Sequence, residues 1–226
     1  MTIDSVTLKL GNKQFKPHVP LAANVRRLEL RFCCVDLLPS SLFPVLECLR
    51  LAWVEISETG LAGLVDGGCP ALRELCLENM HDSLRRVALR SRTLATACIS
   101  SCWNLEELCV RDTPSLGALT YDMEFDSAKK LKEAARILTL FPRLRRLQIQ
   151  CLDSWSSKYK RCYRGWPPTA GKIACLNQHL THVRLQGYCA IRGEQEFATF
   201  LVSQAMSLTL LEMIHSAHWT VKTIES

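Results

Sequence analysis

The chain has 226 residues, of which 48% are hydrophobic and 22% charged, so it has the composition of a globular protein and the length of one ordinary to large domain. Its 28 lysines and arginines exceed its 22 aspartates and glutamates by a net charge of +6, far from the concentrated basic surplus of a dedicated nucleic-acid binder. No segment approaches the ~20 uninterrupted apolar residues of a membrane-spanning helix, and the alternating start MTIDSVTLKL is unlike a signal peptide.

The twelve cysteines indicate the compartment of the protein. They lie mostly inside apolar runs such as LRFCCV, RELCL and LEELCV. Buried cysteine behaves as a small hydrophobic residue in a reducing compartment, whereas disulfide scaffolds are typical of short secreted chains. None of the asparagines begins an N-x-Ser/Thr glycosylation site. We therefore expect a cytoplasmic or nuclear protein with reduced thiols.

A repeated pattern runs along most of the chain. It consists of a bulky residue or cysteine, then proline, then Leu-x-x-Leu-x-Leu or Ile. Three segments match it without gaps: FPVLECLRL from Phe43, CPALRELCL from Cys69 and FPRLRRLQI from Phe141. The segment CWNLEELCV, from Cys102, has Trp103 in place of the proline. Degenerate copies begin at Val25, Leu84, Leu94, Leu116 and Leu180.

The pattern Leu-x-x-Leu-x-Leu predicts a short strand, because strand side chains alternate and the last two apolar residues share one face. One such strand cannot bury its apolar face, but stacked copies produce a continuous core and a parallel sheet. The sequence therefore predicts an α/β leucine-rich-repeat solenoid with a parallel concave sheet, irregular coils and short helices. Cys33 and Cys102 stand where such repeats usually have an asparagine or cysteine that bonds the loop backbone of the neighbouring coil.

The spacing of the first copies predicts a helical return between strands. The central residues Leu28, Leu49 and Leu75 are 21 and 26 residues apart, which leaves room for a strand and a short helix. The segment ISETGLAGLVDGGCP supplies this return, with Ser57 as its N-terminal cap and two glycines at its end.

The later copies follow one another about every 11 residues, and this number of residues cannot hold a strand, a helix and two loops. We therefore predict that alternate strands lie on opposite faces of the coil. Leu75, Ala97 and Leu119 would form the concave ladder at a 22-residue pitch, and Val87 and Leu108 would lie on the convex side.

The rest of the chain divides into helices and a loop. Amphipathic patterns predict helices over 126–141 and 193–208. The segment Ser154 to Gly171 is rich in Ser, Pro and Gly and has no apolar period, so it predicts a long loop. We expect a leucine-rich-repeat region over 1–152, a flexible loop over 153–171 and a C-terminal unit over 172–226 that stacks on the solenoid.

These residues resemble a known family. LVDGGCPALRELCLENM and the repeats that follow it are similar to the leucine-rich region of plant F-box/LRR proteins. The stretch Cys175 to Ile214, CLNQHLTHVRLQGYCAIRGEQEFATFLVSQAMSLTLLEMI, resembles the FBD domain that often ends those proteins. The resemblance makes 172–226 an FBD-like unit. It implies a protein–protein recognition module, the substrate-binding part of an F-box/LRR subunit of an SCF-type E3 ubiquitin ligase.

The resemblance also bears on the ligase partner. In the family an F-box near the N-terminus docks the ligase adaptor, and the repeats hold the substrate. No F-box precedes the first repeat of this chain, so we expect the adaptor as a partner only of a longer form that carries one. A non-recruiting LRR binding protein, either a truncated product or a decoy, is the alternative.

Strand alternation identifies the predicted partner-binding face, because it points polar side chains away from the leucine ladder. A sheet face of mixed charge suits recognition of a polar protein surface, although it is also what a merely solvated strand face looks like. The predicted face consists of Arg27, Glu29, Arg31, Arg50, Glu74, Glu78, Arg146, Gln148 and Gln150, with Cys48 and Cys76 at equivalent positions.

The predicted loop raises a further alternative. Four cations alternate with four aromatic residues between Trp155 and Trp166, a mixture that binds single-stranded nucleic acids by stacking and phosphate contacts. A nucleic-acid-binding solenoid is therefore a weaker alternative, since the remainder of the chain has no basic stripe.

Neither a metal site nor a catalytic centre is predicted. Cys175, His179, His182 and Cys189 are of types that bind zinc, but their spacing is unusual and no Cys-x-x-Cys occurs. Motifs for a serine hydrolase, a phosphate-binding loop and a zinc protease are absent from the sequence. We expect a protein that is not an enzyme, needs no cofactor, binds a protein of unknown identity and does not bind membranes.

Overall fold

The computed structural model describes residues 3–15, 23–35, 43–80, 84–125, 128–152 and 173–215. The chain divides into two compact units, Met1–Leu119 and Thr120–Ser226. Within the described ranges, none of the helices is both long and apolar enough to cross a membrane. The predicted loop over 153–171 lies outside the described residues.

Parallel strands form the first unit. The strands are β1 (Ile3–Phe15), β2 (Val25–Val35), β3 (Cys48–Ile56), β4 (Glu74–Glu78), β5 (Arg86–Arg90), β6 (Thr96–Ser100), β7 (Glu107–Arg111) and β8 (Ala118–Met123). The division between the units falls inside β8. The main sheet has the order β1-β2-β3-β4-β6-β8, and a second sheet consists of β5 and β7.

Leucines stacked in register form the core of the main sheet. Leu30, Leu51 and Leu77 lie opposite one another in β2, β3 and β4, and each is at most 2% exposed. Burial of a leucine side chain contributes about 2 kcal/mol, and a strand of this length has no other way to cover its apolar face. The predicted α/β leucine-rich-repeat fold is confirmed in its parallel strands and short helices.

The prediction that alternate strands lie in different sheets is also confirmed. Leu75 lies opposite Ala97 in the main sheet, and β8, which carries Leu119, is next in order after β6. Val87 lies opposite Leu108 in the two-stranded sheet β5-β7. All five side chains are buried, so the chain alternates between two separate ladders in half-repeats.

The return between β3 and β4 is helical, as predicted. Helix α1 spans Glu58–Gly63 and continues into a π-helical turn over Leu64–Gly68. The Ser57 hydroxyl accepts a 3.0 Å hydrogen bond from the Gly60 backbone N–H, which caps the helix. The Gly68 carbonyl oxygen accepts a hydrogen bond from Phe43 N–H, so the end of the return is fixed to the preceding coil.

A left-handed residue ends the regular part of four strands in the main sheet. Each lies two residues after the last buried residue of the shared ladder, which is Leu30, Leu51, Leu77 or Ile99. The four residues are Phe32 (φ 51°) in β2, Trp53 (φ 56°) in β3, Asn79 (φ 49°) after β4 and Ser101 (φ 53°) after β6. Non-glycine residues adopt this conformation at a cost of roughly 1–2 kcal/mol, least for asparagine. The Phe32 and Trp53 rings are stacked with centroids 6.0 Å apart and are both exposed.

Cys102, in the next coil, bonds the backbone of β4 just before its left-handed residue Asn79. Its thiol donates a hydrogen bond to the Leu77 carbonyl oxygen, 3.8 Å away on β4, and lies 3.4 Å from the Ser100 carbonyl oxygen. The predicted role of Cys102 in bonding the neighbouring coil is therefore confirmed. Cys33 is buried in β2, and its predicted bond stays a prediction. No disulfide joins the eleven cysteines in the described ranges.

The second unit contains both predicted amphipathic helices. After β8 the elements are α2 (Ala128–Leu140), β9 (Arg146–Cys151), α3 (Ala174–Gln178), β10 (His182–Tyr188), α4 (Arg192–Gln204) and β11 (Leu210–His215). The parallel strands have the order β9-β10-β11, and Ile149 lies buried opposite Leu185 in their ladder.

Helix α4 is fixed at its first turn by Glu194, which is only 3% exposed. Its carboxylate accepts hydrogen bonds from the backbone N–H groups of Cys189 (2.9 Å) and Ile191 (3.2 Å). Burial raises the pKa of Glu194 above its ordinary value, although these hydrogen bonds lower it in part. One turn later, Phe197 packs against Phe125 with ring centroids 5.2 Å apart.

Candidate recognition surface

The predicted residues of the first unit lie together on one face of its main sheet. Parallel pairing in register arranges them in rows that cross the strands. The middle row is Thr7, Glu29, Arg50, Cys76 and Cys98. We call the outward positions of β2, β3 and β4 in this row and its two neighbours the first-unit face.

The rows on either side complete the first-unit face. One neighbouring row contains Arg27, Cys48 and Glu74, and the other contains Arg31, Ala52 and Glu78. The polar side chains of β2 alternate with the buried ladder residues. Ala52 of β3 and Cys76 of β4 occupy outward positions as well, but both are buried. The structure therefore brings together all six predicted residues of this unit: Arg27, Glu29, Arg31, Arg50, Glu74 and Glu78.

The charges of the first-unit face are unevenly distributed. Arg27, Arg31 and Arg50 lie on β2 and β3, and Glu74 and Glu78 lie on β4. The arginines therefore form a basic strip along β2 and β3, and the glutamates form an acidic strip along β4. Since neighbouring strands are about 4.8 Å apart, the distance from β2 to β4 is about 10 Å. This separation of charge is a property that a partner of complementary charge can recognise.

Glu29 is the exception on the basic strip, and its charge is compensated. Its carboxylate forms an ion pair with Arg31 and accepts a 3.3 Å hydrogen bond from the Thr7 hydroxyl. The hydrogen bond from Arg31 is the main reason that the pKa of Glu29 is lowered. Glu29 therefore stays ionised at neutral pH and holds the Arg31 side chain along the strand.

The predicted residues of the second unit form a face of their own on β9. Arg146, Gln148 and Gln150 point outward between the buried ladder residues of this strand. Gln148 Nε2 donates a 3.2 Å hydrogen bond to Gln186 Oε1 on β10. Arg184, opposite Gln148 in β10, pairs with Glu212 of β11 at 2.7 Å.

The Arg184–Glu212 pair is not predicted by the sequence analysis. The hydrogen bond and charge of Arg184 lower the pKa of Glu212, so both groups are charged at neutral pH. The strand containing Arg184 is recognisable from its Val-x-Leu pattern, but its register with β11 is a tertiary property. The second-unit face therefore includes polar residues of three strands, not of β9 alone.

A cluster of two thiols and a carboxylate, formed by Cys76 and Glu78 of the first-unit face and Cys98 of the adjacent strand β6, was also missed. The sulfur atoms of Cys76 and Cys98 and a carboxylate oxygen of Glu78 all lie within 4.8 Å of one another. The pKa of Cys76 is raised, first by its hydrogen bond with Cys98 and then by burial and Glu78. The signal that finds this cluster is the 22-residue pitch, which aligns Cys76 with Cys98 just as it aligns the ladder.

The residues considered for zinc are separated by the fold. Cys175 is buried in α3, where its thiol donates to the Leu138 carbonyl oxygen at 3.4 Å. His182 begins β10 and Cys189 follows its end, so roughly 20 Å of strand separate the two residues. The aromatic and basic run from Trp155 to Trp166 lies outside the described residues.

Comparison with known proteins agrees with this geometry. The model of the family described as "FBD-associated F-box protein At5g56370, LRR repeats" matches residues 7–137, which is more than half of the chain. No curated protein and no solved structure matches the chain. Leucine-rich repeats are protein-interaction modules, in which stacked repeats present an extended binding surface. The chain belongs to the family of leucine-rich repeats found in FBD-associated F-box proteins.

Proposed function

We propose that the first-unit face binds a protein and that the chain is the substrate-binding part of an F-box/LRR subunit of an SCF-type E3 ubiquitin ligase. The observation that carries the proposal is the set of three in-register rows, which places six charged side chains on adjacent strands. Membership of the family supports the ligase assignment, because the family is described as one of F-box proteins, and the resemblance implies that an F-box docks the ligase adaptor.

The distribution of charge defines the partner. Acidic side chains of the partner would contact the basic strip of Arg27, Arg31 and Arg50, and basic side chains would contact Glu74 and Glu78. Residues about 10 Å apart are three positions apart in an extended segment. The expected recognition element is therefore an extended stretch that crosses the strands, with an acidic residue about three positions from a basic one.

Support for specific recognition also comes from the rigidity of the first-unit face. Each of its side chains is next to a ladder leucine that is at most 2% exposed, so the backbone beneath the face is part of the core. Binding to a preformed surface avoids the entropy cost of ordering a loop. The Glu29–Arg31 ion pair orders two of the long side chains before any partner arrives.

The other parts of the proposal concern ligase recruitment and location. A form of the protein that carries an F-box would bind the ligase adaptor, and 172–226 would act as the FBD-like unit. We propose that this occurs in the cytoplasm or nucleus, where the reduced thiols expected from the cysteine content persist. A chain without an F-box would bind the same substrates and recruit no ligase.

Affinity purification with charge-reversal variants tests the proposal. We would use the full chain as bait in cells that express it naturally, and compare wild type with Arg50→Glu and Glu74→Arg. Arg92→Glu is the matched control, since Arg92 is exposed in the same unit but lies outside the first-unit face. Proteins lost with both test variants and retained by the control would be the expected partners.

The same experiment separates the alternatives. Recovery of cullin and adaptor together with the partner supports the ligase role, whereas recovery of the partner alone supports a non-recruiting binder. If the two test variants recover the same proteins as wild type and in the same amounts, the first-unit face is not the binding surface and the proposal is wrong.

A further inference from the structure

The Cys76–Glu78–Cys98 cluster has the composition and geometry of a metal site. The Cys76 thiol lies 3.1 Å from Glu78 Oε1, and the three potential ligand atoms are all within 4.8 Å of one another. Cys76 is 7% exposed and the other two residues are half-buried, so the cluster is shielded but open on one side. Within the described parts of the chain, it is the group that brings three such atoms this close.

We propose that Cys76, Cys98 and Glu78 bind one divalent metal ion of the zinc class, with a water molecule as the fourth ligand. This inference goes beyond the proposed function and does not depend on it, because the site would form whether or not the first-unit face binds a protein.

The sheet holds the three ligands in place. Cys76 lies directly opposite Cys98 in the parallel pair β4-β6, and Glu78 is two residues from Cys76 on the same side of its strand. The alternating residues Leu75, Leu77 and Ile99 are buried in the core, which fixes the backbone beneath the site. A ligand set on paired strands of a packed sheet is more precisely placed than one on loops.

The distances are close to those of a zinc site. With metal–sulfur bonds of about 2.3 Å and tetrahedral angles, two thiolate ligands lie about 3.8 Å apart. Ligand atoms within 4.8 Å of one another therefore need to approach a common centre by about 1 Å or less. Cys98 and Glu78 are half-buried, and rotation about their side-chain bonds would supply this movement.

The donor atoms determine which ion binds. Thiolate sulfur is a soft ligand that selects zinc and similar ions such as cobalt(II) and cadmium, whereas calcium and magnesium prefer an all-oxygen site. Two thiols and one carboxylate thus exclude magnesium and calcium. The open side of the cluster leaves space for the fourth ligand, as in zinc sites with three protein ligands.

The charges balance once the metal is bound. Each thiol releases its proton to solvent as its sulfur–metal bond forms, so two thiolates and one carboxylate contribute three negative charges. A divalent ion and the Arg50 guanidinium, which lies opposite Cys76 on β3, supply three positive charges. A half-buried site with no net charge has a small desolvation cost.

Two other pairs on the strands serve as internal comparisons. Cys109 lies 3.2 Å from Glu107 on β7, and Cys34 lies 3.2 Å from Glu55 across β2 and β3. Each pair combines one thiol with one carboxylate, and within the described residues neither belongs to a group of three ligand atoms. A divalent ion of the zinc class should therefore bind them much more weakly than the three-ligand cluster.

Cobalt(II) titration of the reduced full chain tests the inference. Cobalt bound by thiolates has a strong sulfur-to-metal charge-transfer band, and we expect one equivalent to produce it and zinc to abolish it. Loss of a group that only hydrogen-bonds a metal ligand typically weakens binding by about 10- to 100-fold. Loss of the ligand itself in Cys98→Ser should therefore weaken cobalt binding by at least about 100-fold, and Glu78→Gln should weaken it by about tenfold or more. Cys109→Ser should titrate as wild type does.

Two controls test for misfolded variants and for non-specific binding of divalent ions. Urea unfolding of each variant without metal identifies any that fails to fold, and Cys98→Ala replaces Cys98→Ser if the serine variant does. Titration with calcium and magnesium should produce no protection from unfolding. If Cys98→Ser and Cys109→Ser reduce the cobalt band equally, or if neither does, the metal is held by other cysteines and the inference is wrong.

Discussion

The α-carbon of Gly193 faces the carbonyl oxygen of Phe125 so closely that a Cβ atom at residue 193 would overlap this oxygen. The contact joins the first turn of α4 to the backbone that follows β8. Since Glu194 fixes this first turn and Phe197 packs against Phe125 in the next, the helix cannot move away without losing its cap and its aromatic contact. Glycine is required here by a close approach of backbone to backbone.

Gly193→Ala should therefore destabilise the second unit by about 2 kcal/mol or more, because the rigid backbone around Phe125 has to shift. Urea unfolding monitored by circular dichroism measures the change. Gly63→Ala is the matched control, since a Cβ atom at Gly63 of α1 meets nothing within 4 Å. We expect that control to be neutral or to stabilise by up to about 1 kcal/mol. Equal stability of Gly193→Ala and wild type would contradict the contact.

Leu75→Asp and Leu147→Asp should each unfold the unit that contains the substituted residue. Leu75 is 1% exposed and Leu147 is 2% exposed, and an unpaired carboxylate in either ladder costs several kcal/mol. Amide hydrogen exchange detects loss of protection in each unit separately. Arg50→Ala, on the outward side of the same sheet, should change the free energy of unfolding by less than about 0.5 kcal/mol. A cooperative transition at the wild-type urea concentration in either aspartate variant would refute the ladder.

Ser57→Ala should cost about 1 kcal/mol, because the Gly60 N–H loses the hydroxyl that caps α1. Ser57→Asp keeps an oxygen at the cap and adds a negative charge at the helix N-terminus, so it should retain wild-type stability or exceed it slightly. Urea unfolding of the three proteins provides the comparison. The capping role would be excluded if the alanine and aspartate variants were equally stable.

The stability of the second unit should depend on pH through Glu194. Burial raises the pKa of Glu194 above its ordinary value of 4.5, so the folded protein binds this proton more tightly than the unfolded chain does. The resulting contribution to the free energy of unfolding is fully present below pH 4.5 and is lost as pH rises through the raised pKa.

Glu194→Gln provides the measurement, because the amide is neutral at every pH and still offers an acceptor to the Cys189 N–H. Wild type should lose stability relative to this variant between about pH 4.5 and neutrality in urea unfolding experiments. A difference that stays constant, or that changes in favour of wild type as pH rises, would contradict the direction of the shift.

The ladders were predictable from sequence because they depend on local patterns. The 22-residue pitch from Leu75 to Ala97 and the half-pitch position of Val87 are visible in the sequence, and they assign the strands to two sheets. The same holds for Ser57 as a cap and for the two amphipathic helices. Each of these features depends on a local residue pattern or on the regular spacing of that pattern along the chain.

The tight contact could not be found from such patterns, and the cluster could be found only by applying the 22-residue pitch to the outward cysteines as well as to the ladder. Cys76 and Cys98 meet through strand register, and a search for metal motifs along the chain passes over ligands that are 22 residues apart. Gly193 reads as an ordinary residue before a helix, since its constraint comes from Phe125 some seventy residues away in sequence. The stacked, left-handed Phe32 and Trp53 likewise carry no local glycine or asparagine signal.

The alternation of β4, β6 and β8 with β5 and β7 has a consequence for how this region can change in evolution. Loss of a single eleven-residue segment would move the half-repeat strands that follow it by one place. A strand of the main sheet would then occupy a place in the two-stranded sheet, and the reverse, so residues such as Ala97 and Leu108 would face the wrong neighbours. Duplications and deletions that preserve both ladders must come in even numbers of segments. Descendants of this gene should therefore differ in length here by steps of about 22 residues, a rule that genome comparison can check without any structure.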